Sequence, residues 1–222
     1  MTVVDLPLFP LNIVLLPDMI LPLHIFEPRY REMILRCLET DRRFGVSLIK
    51  EGQEVGGSAV VFDVGTVAEI TASTMLEDER MNLVTEGRER YRLLDISDDR
   101  AYPHGLVELL EEPVGELENA NLKASLTRDL ARRYVTLLLR QVEPATITFE
   151  LPDDPLEISY RVANLLQQVH PGRSSETQGL LEAESAEERL RLEIDILGRE
   201  YAILQRMNQI SRPKRKPYGN LN

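Results

Sequence analysis

The chain has no tryptophan, one cysteine and three histidines among 222 residues. Only four lysines are present: Lys50, Lys123, Lys214 and Lys216. A lone cysteine excludes an internal disulfide and fits a reducing compartment, so a cytoplasmic location is expected. Cys37 stands at helical spacing from Met33 and Ile34, which predicts a small buried core residue. His24, His104 and His170 lie far apart, without the clustered spacing of a metal site. No apolar run is long enough to cross a bilayer. Leu11 to Phe26 has the length of a signal-peptide core but lacks a basic flank and is cut by Pro17, Asp18 and Pro22. No phosphate-cradling GxxxxGK[ST] loop or GxSxG elbow occurs, and no lysine sits in a Ser-Lys dyad setting. No catalytic residue, cofactor site or metal site is therefore assigned, and the chain reads as a non-enzyme.

Charge of one sign is also scarce. Formal net charge is -11, which argues against a dedicated nucleic-acid or anionic-membrane binder. The excess acid sits early. Residues 1–113 hold 11 Lys+Arg against 21 Asp+Glu, a balance of -10, and the remainder holds 15 against 16, a balance of -1.

Hydrophobic residues make up 43% of the chain, enough for a substantial core. The most informative stretch is Leu6 to Met33, LPLFPLNIVLLPDMILPLHIFEPRYREM, with five prolines in 28 residues. Interior proline breaks helices, so this run cannot be one helix. Its Leu, Ile, Val and Phe content is too high for a solvated linker. It reads as short buried strands joined by proline turns, with a helix opening at Glu27-Pro28 and running Pro28–Glu39. Glu27 is placed to cap that helix and to pair with Arg29, Arg88 or Arg90. His24 is expected to hold strand to helix by a hydrogen bond.

Strands continue beyond the helix. An apolar run covers Phe44 to Ile49, and a Gly-rich turn spans Gly52–Gly57. Val60 to Met75 is rich in Val, Ile and Thr, with Gly65 as a bend or bulge. Glu77-Asp78-Glu79 makes a polar turn, Met81–Glu86 returns, Gly87 interrupts, Tyr91–Ile96 continues and Leu106–Leu110 closes the region. The acidic pairs Asp78/Glu79 and Asp98/Asp99 read as solvated turn residues. Closely spaced strands with one embedded helix predict an α+β chain whose first part is a curved sheet or pseudobarrel.

After Pro113 the pattern is helical. Leu122, Leu126, Leu130, Tyr134, Leu137 and Leu138 predict the apolar face of a long helix. Pro144 and Pro152 bracket a connector. Asp154-Pro155-Leu156-Glu157 opens a second helix, lined by Ile158, Val162, Leu165, Leu166 and Val169 and stopped at Pro171-Gly172. A short helix covers Ser175–Glu182. Ser185-Ala186-Glu187-Glu188 is a capping box opening a helix of roughly 37 Å. Leu190, Ile194, Leu197, Tyr201 and Leu204 form its stripe, widened by Ile196, Ile203, Met207 and Ile210. Such a face calls for burial in a bundle, and the same stripe leaves dimerisation open. Three units are expected: a β domain over 1–113, a helical bundle over 114–211, and a disordered basic tail over 212–222.

LPLFPL, LPLHIFEPRY, VGTVAEI (Val64–Ile70), LEDERMNLVTEGRERYRL (Leu76–Leu93), YPHGLVELLEE (Tyr102–Glu112) and GLLEAESAEERLRLEIDIL (Gly179–Leu197) together resemble the Lon N-terminal domain, the substrate-binding module of Lon proteases. The resemblance spans roughly residues 5 to 210. Two departures stand out. Asp18 follows Pro17 where the family usually has Gly. Glu79 replaces a turn Gly, which predicts a longer or looser hairpin than a two-residue Asp-Gly turn. The resemblance implies a PUA-like pseudobarrel followed by helices. It also implies a non-catalytic module that binds unfolded or damaged polypeptides, as an adaptor or regulator in protein quality control, with an ATP-dependent protease as a further partner. The alternative is RNA binding, since other PUA-like domains bind RNA, but the acidic first half opposes it. Neither reading names partner-binding residues, and the opening run reads as scaffold for the site.

Overall fold

A computed structural model describes residues 2–54, 59–139 and 150–210. Seven strands and five helices follow one another within them: β1 (Thr2–Leu11), β2 (Ile20–Ile25), α1 (Pro28–Glu39), β3 (Arg43–Gly52), β4 (Ala59–Val61), β5 (Val64–Met75), β6 (Met81–Ser97), β7 (His104–Leu109), α2 (Leu117–Leu139), α3 (Pro155–Val169), α4 (Ser174–Glu182) and α5 (Ala186–Ile210). This is the expected α+β plan, with one helix embedded among strands and helices following. Pro144 in the connector, part of the Gly52–Gly57 turn and the basic tail lie outside the described residues.

The sheet runs β1-β7-β6-β5-β3-β4, with β2 added beside β6. A parallel pairing of β1 with β3, Leu8 opposite Gly45 through Leu11 opposite Leu48, closes five of these strands into a barrel. Tyr91 of β6 fills the interior. It is fully buried, and its hydroxyl shares a 2.7 Å hydrogen bond with Ser47. Gly65 is where its ring fits: a Cβ there would stand 2.4 Å from the Val46 carbonyl and 2.5 Å from the Tyr91 ring. Close approach, not a bend, thus explains Gly65. The irregularities of β5 lie further on, between Thr66 and Ala68 and between Ile70 and Ala72.

Gly87 does not interrupt its strand. β6 is continuous from Met81 to Ser97, and Gly87 marks the point where its neighbour changes. Before it, β6 pairs with β2; from Tyr91 onward it pairs with β7. The β1–β2 connection crosses there. The Gly87 carbonyl accepts from Asp18 N–H, and a Cβ on Gly87 would lie 2.1 Å from the Leu16 carbonyl. Asp18, at the family's glycine position, takes φ 60°. Glu79 does likewise at φ 64°. There Leu76 accepts from Glu79 N–H and donates to Arg80, so the hairpin loop is three residues long, hydrogen-bonded across its base.

Helix α1 lays Tyr30, Met33, Ile34 and Cys37 against Phe9, Phe44, Ile70, Met81 and Leu83. Each such large side chain contributes about 1.5–3 kcal/mol by leaving water. Burial pushes the Cys37 thiol up to about 12, an inert core position.

In the helical part, α2 and α5 run in the same direction. Lys123 meets Glu187 near their starts, and Tyr134 reaches His170, itself beside Glu200, near their ends. The buried face of α2 is Ala120, Ala124, Thr127, Ala131 and Tyr134, not the leucine stripe. Leu122 and Leu126 face outward at 62% and 48% exposure. Small side chains let α5 approach closely, and Leu190 and Leu197 fill the space they leave. On α5, Ile203 and Met207 are likewise exposed rather than packed. Both caps form as expected: Asp154 accepts from the N–H groups of Leu156 and Glu157, and Ser185 from that of Glu188. The box is not reciprocal, because the Glu188 carboxylate accepts from Glu184 N–H instead.

Barrel and helices share one core cluster, in which Val14, Leu16, Leu48 and Val64 pack with residues of α2 to α5. A polar clamp lies beside it. Arg90 of β6, 2% exposed, donates to the Glu112 carboxylate and to the carbonyls of Leu181 and Ala183 at the end of α4. Tyr160 donates to the other Glu112 oxygen. Arg189 lies 3.9 Å over the Tyr160 ring and donates to Leu180 and Ser159. Glu193 is fully enclosed; burial holds its carboxyl well above the usual carboxylate range, opposed by nearby Arg189.

Two substitutions test this architecture. Gly87→Ala should lower the unfolding free energy by about 1–3 kcal/mol through overpacking against Leu16, read as a fall in the urea midpoint. Arg90→Ala should cost about 3 kcal/mol by stranding Glu112 and two helix-terminal carbonyls. Its loss should be seen equally by a barrel probe and a helix probe, in a single transition.

Candidate functional site

A groove opens at one end of the barrel on the larger side of Tyr30. About 490 Å³ is enclosed by Pro10, Tyr30, Val60, Leu93, Ile96, Tyr102 and Pro103, together with polar residues at its margin. A smaller cavity of about 140 Å³ lies on the other side of Tyr30, against Phe9, Leu11, Leu23, Ile25 and Phe26. Tyr30 is held in place by stacking on Phe9, with ring centroids 4.2 Å apart, and by the Arg29 guanidinium 4.5 Å above its own ring. Val60, Ile96 and Phe26 remain 57%, 44% and 49% exposed along this surface. Large apolar residues so exposed and grouped around cavities are what a site for apolar ligand segments requires.

The opening run contributes more than scaffold to this surface, since Pro10, Phe26 and Tyr30 all line it. Val60, Leu93, Ile96 and Tyr102 come from later elements to which sequence reading gave no site role. Their signal was slight: a three-residue edge strand, and an aromatic-proline pair, Tyr102-Pro103, in the β6–β7 loop.

The remaining candidates resolve differently. His24 bonds through Nδ1 to Asn82 at 2.7 Å, so it ties β2 to β6 and not to the helix. Glu27 occupies the N-cap position without capping; its side chain pairs with Arg29 at 3.1 Å. Arg88 instead meets Glu69 and Glu86, and Arg90 serves the clamp. Asp78 and Glu79 are exposed and held in surface ion pairs with Arg80 and Arg31. Among the described residues no group of three or more His, Cys, Asp or Glu is placed to hold a metal ion. No described helix is long and apolar enough to cross a membrane.

Asp98 and Asp99 part company. Asp98 is exposed at the groove margin, whereas Asp99 binds His104. The imidazole of His104 lies between two carboxylates, 2.8 Å from Asp5 through Nδ1 and 2.6 Å from Asp99 through Nε2. Hydrogen bonds to Asp5 and Asp99 raise its pKa above the ordinary value, and those same contacts lower both carboxyls. The bridge ties the β6–β7 loop, one wall of the groove, to β1.

The model of the ATP-dependent protease La (LON) substrate-binding domain matches residues 5–199. Lon protease of Escherichia coli K12 is 28% identical over 98% of this chain, which spans 28% of that protein's length. Lon protease of Trichlorobacter lovleyi is 28% identical over 96% of the chain, covering 26% of its own length. A Lon N-terminal domain protein from Xanthomonas campestris superimposes with TM-score 0.61 at 26% identity, covering 85% of this chain and 95% of that one. The N-terminal domain of the Mycobacterium avium complex Lon protease shares the fold at TM-score 0.61 and 18% identity, over 87% and 98% of the two chains.

The His104 bridge has a pH signature. A histidine pKa raised by folding adds stability that is complete below the unfolded value near 6.5 and is lost as pH rises through the folded value. The thermal midpoint should therefore fall as pH rises above about 6.5, and His104→Gln should flatten that slope. Hydrogen exchange of residues 98–103 should quicken over the same range. The groove and the barrel around it belong to a chain of the LON substrate-binding domain family.

Proposed function

We propose that this protein is a non-catalytic module that captures unfolded or damaged polypeptide and hands it on, as an adaptor or regulator of an ATP-dependent protease. The observation that carries the reading is the apolar groove around Tyr30 and Tyr102, about 490 Å³ and open to solvent, in a chain that belongs to a substrate-binding domain family. Exposed Val60 and Ile96 offer contact area at little desolvation cost, because the client supplies apolar surface that water hydrates poorly. The family match covers the substrate-binding domain, and in this reading an ATP-dependent protease processes the client. The reading keeps the chain in the cytoplasm, where a lone buried thiol stays reduced.

The test is binding of reduced, carboxymethylated lactalbumin, measured by fluorescence anisotropy. Micromolar binding is expected. Val60→Asp and Ile96→Asp each place a charge on the apolar wall, and each should weaken binding at least tenfold, since desolvating a carboxylate opposes contact. Both sites are exposed, so the thermal midpoint should stay close to the parent's. Parent protein that fails to bind at tens of micromolar, alone and with a protease present, would overturn the reading.

A further inference from the structure

We propose that the groove takes its client as an added β-strand: an extended segment of another polypeptide, with alternating apolar residues flanked by Lys or Arg, lying along the open edge of β4. This rests on the polypeptide-binding reading and specifies the occupant of the same groove.

The edge comes first. Among the described residues β4 pairs with β3 alone. The Phe62 N–H donates to the Leu48 carbonyl of β3. Strand alternation then turns the N–H and C=O of Val61 to the open side, toward the groove that Val61 lines. Proteins commonly blunt such edges with charge or proline; here the edge reads Ala59-Val60-Val61, with Val60 exposed. Leu93, Ile96, Tyr102 and Pro103 line the same groove from β6 and the β6–β7 loop. The Asp63 carbonyl accepts from Leu93 N–H at 2.7 Å, joining the end of β4 to β6.

Tyr102 supplies an independent observation. It is 1% exposed, and its hydroxyl has no hydrogen-bond partner among the described residues. The buried hydroxyls of Tyr91, Tyr134 and Tyr160 are all partnered, by Ser47, His170 and Glu112. An unsatisfied buried donor in a groove wall calls for a partner, and a client carbonyl entering against Tyr102 provides one.

Charge decides the flanks. Four ionic residues border the groove. Arg29 pairs with Glu27, and Arg100 with Asp5. Asp63 and Asp98 are exposed and form no ion pair among the described residues, so the rim presents negative charge. The surplus acid of residues 1–113 acts in the same sense at long range. Strand addition takes affinity from backbone hydrogen bonds, which every sequence offers, and selects only for alternation and, at this rim, for positive flanks. That suits a binder of many clients.

The probe is the peptide Lys-Thr-Val-Thr-Val-Trp-Val-Thr-Val-Lys; the protein lacks tryptophan, so indole fluorescence reports the peptide alone. A saturable blue shift is expected. Two further peptides carry N-methyl groups on the odd or the even residues. One should bind more than tenfold more weakly and the other nearly as the parent, because one edge reads one set of amides. Tyr102→Phe should weaken binding roughly 3–10-fold, the worth of one hydrogen bond, while the thermal midpoint holds or rises. Asp63→Asn with Asp98→Asn should weaken the Lys-ended peptide, and a Glu-ended peptide should bind poorly to the parent protein. Equal binding of both methylated peptides, or of Tyr102→Phe, would overturn strand addition while leaving polypeptide binding intact. Lactalbumin binding without any peptide binding would do the same. If neither binds, the broader reading falls with it.

Discussion

One guanidinium joins the two halves of this molecule. Arg90 leaves the centre of the longest strand and ends on the carbonyls of Leu181 and Ala183, at the negative end of α4. Taking an arginine from water costs several kcal/mol, so the site holds together only because its donors meet partners and Glu112 supplies the opposite charge. Glu112 is in turn fixed by Tyr160, and Arg189 stacks on that ring. The cluster is thus a chain of dependencies running from β6 through α3 to α5. Apolar contacts at Val14, Leu16, Leu48 and Val64 give the joint its stability, and the polar cluster gives it a unique orientation.

Much of this was legible in the sequence. Pro17 marked the turn between β1 and β2, Pro28 opened α1, and Asp154 and Ser185 capped their helices, because each of these acts through its own backbone neighbourhood; Pro7, Pro10 and Pro22, expected in turns between short strands, instead lie within β1 and β2. What was not legible depended on distant partners. Gly87 reads as a break and Gly65 as a bend or bulge, since nothing local reveals that Leu16 or Tyr91 needs their missing Cβ. The α2 face was misjudged because leucine periodicity is visible along the chain, whereas the closeness of α5, which selects alanine, is not. Arg90 and Arg189 look like surface residues until Glu112 and the end of α4 are brought to them.

The groove shows the same division. Phe26 and Tyr30 stand in the run that carries the family resemblance. Val60, Ile96 and Tyr102 lie far from it in the chain and meet it only because β1 closes on both β3 and β7. A site assembled at a barrel end has no contiguous motif. Its chemistry is apolar area, an open strand edge and a few charges, all of which are common individually and informative only when adjacent.

The two pairings of β1 also set a schedule for synthesis. Leu8 to Leu11 find β3 within about 40 residues, but Thr2 to Pro7 wait for His104 to Leu109. As the chain leaves the ribosome, one edge of the first strand stays open until β7 emerges, several seconds later at usual elongation rates. During that interval Val3, Val4 and Leu6 offer an unpaired strand to any neighbouring nascent chain. The protein read here as a receptor for incomplete polypeptides would, at that moment, resemble its own clients.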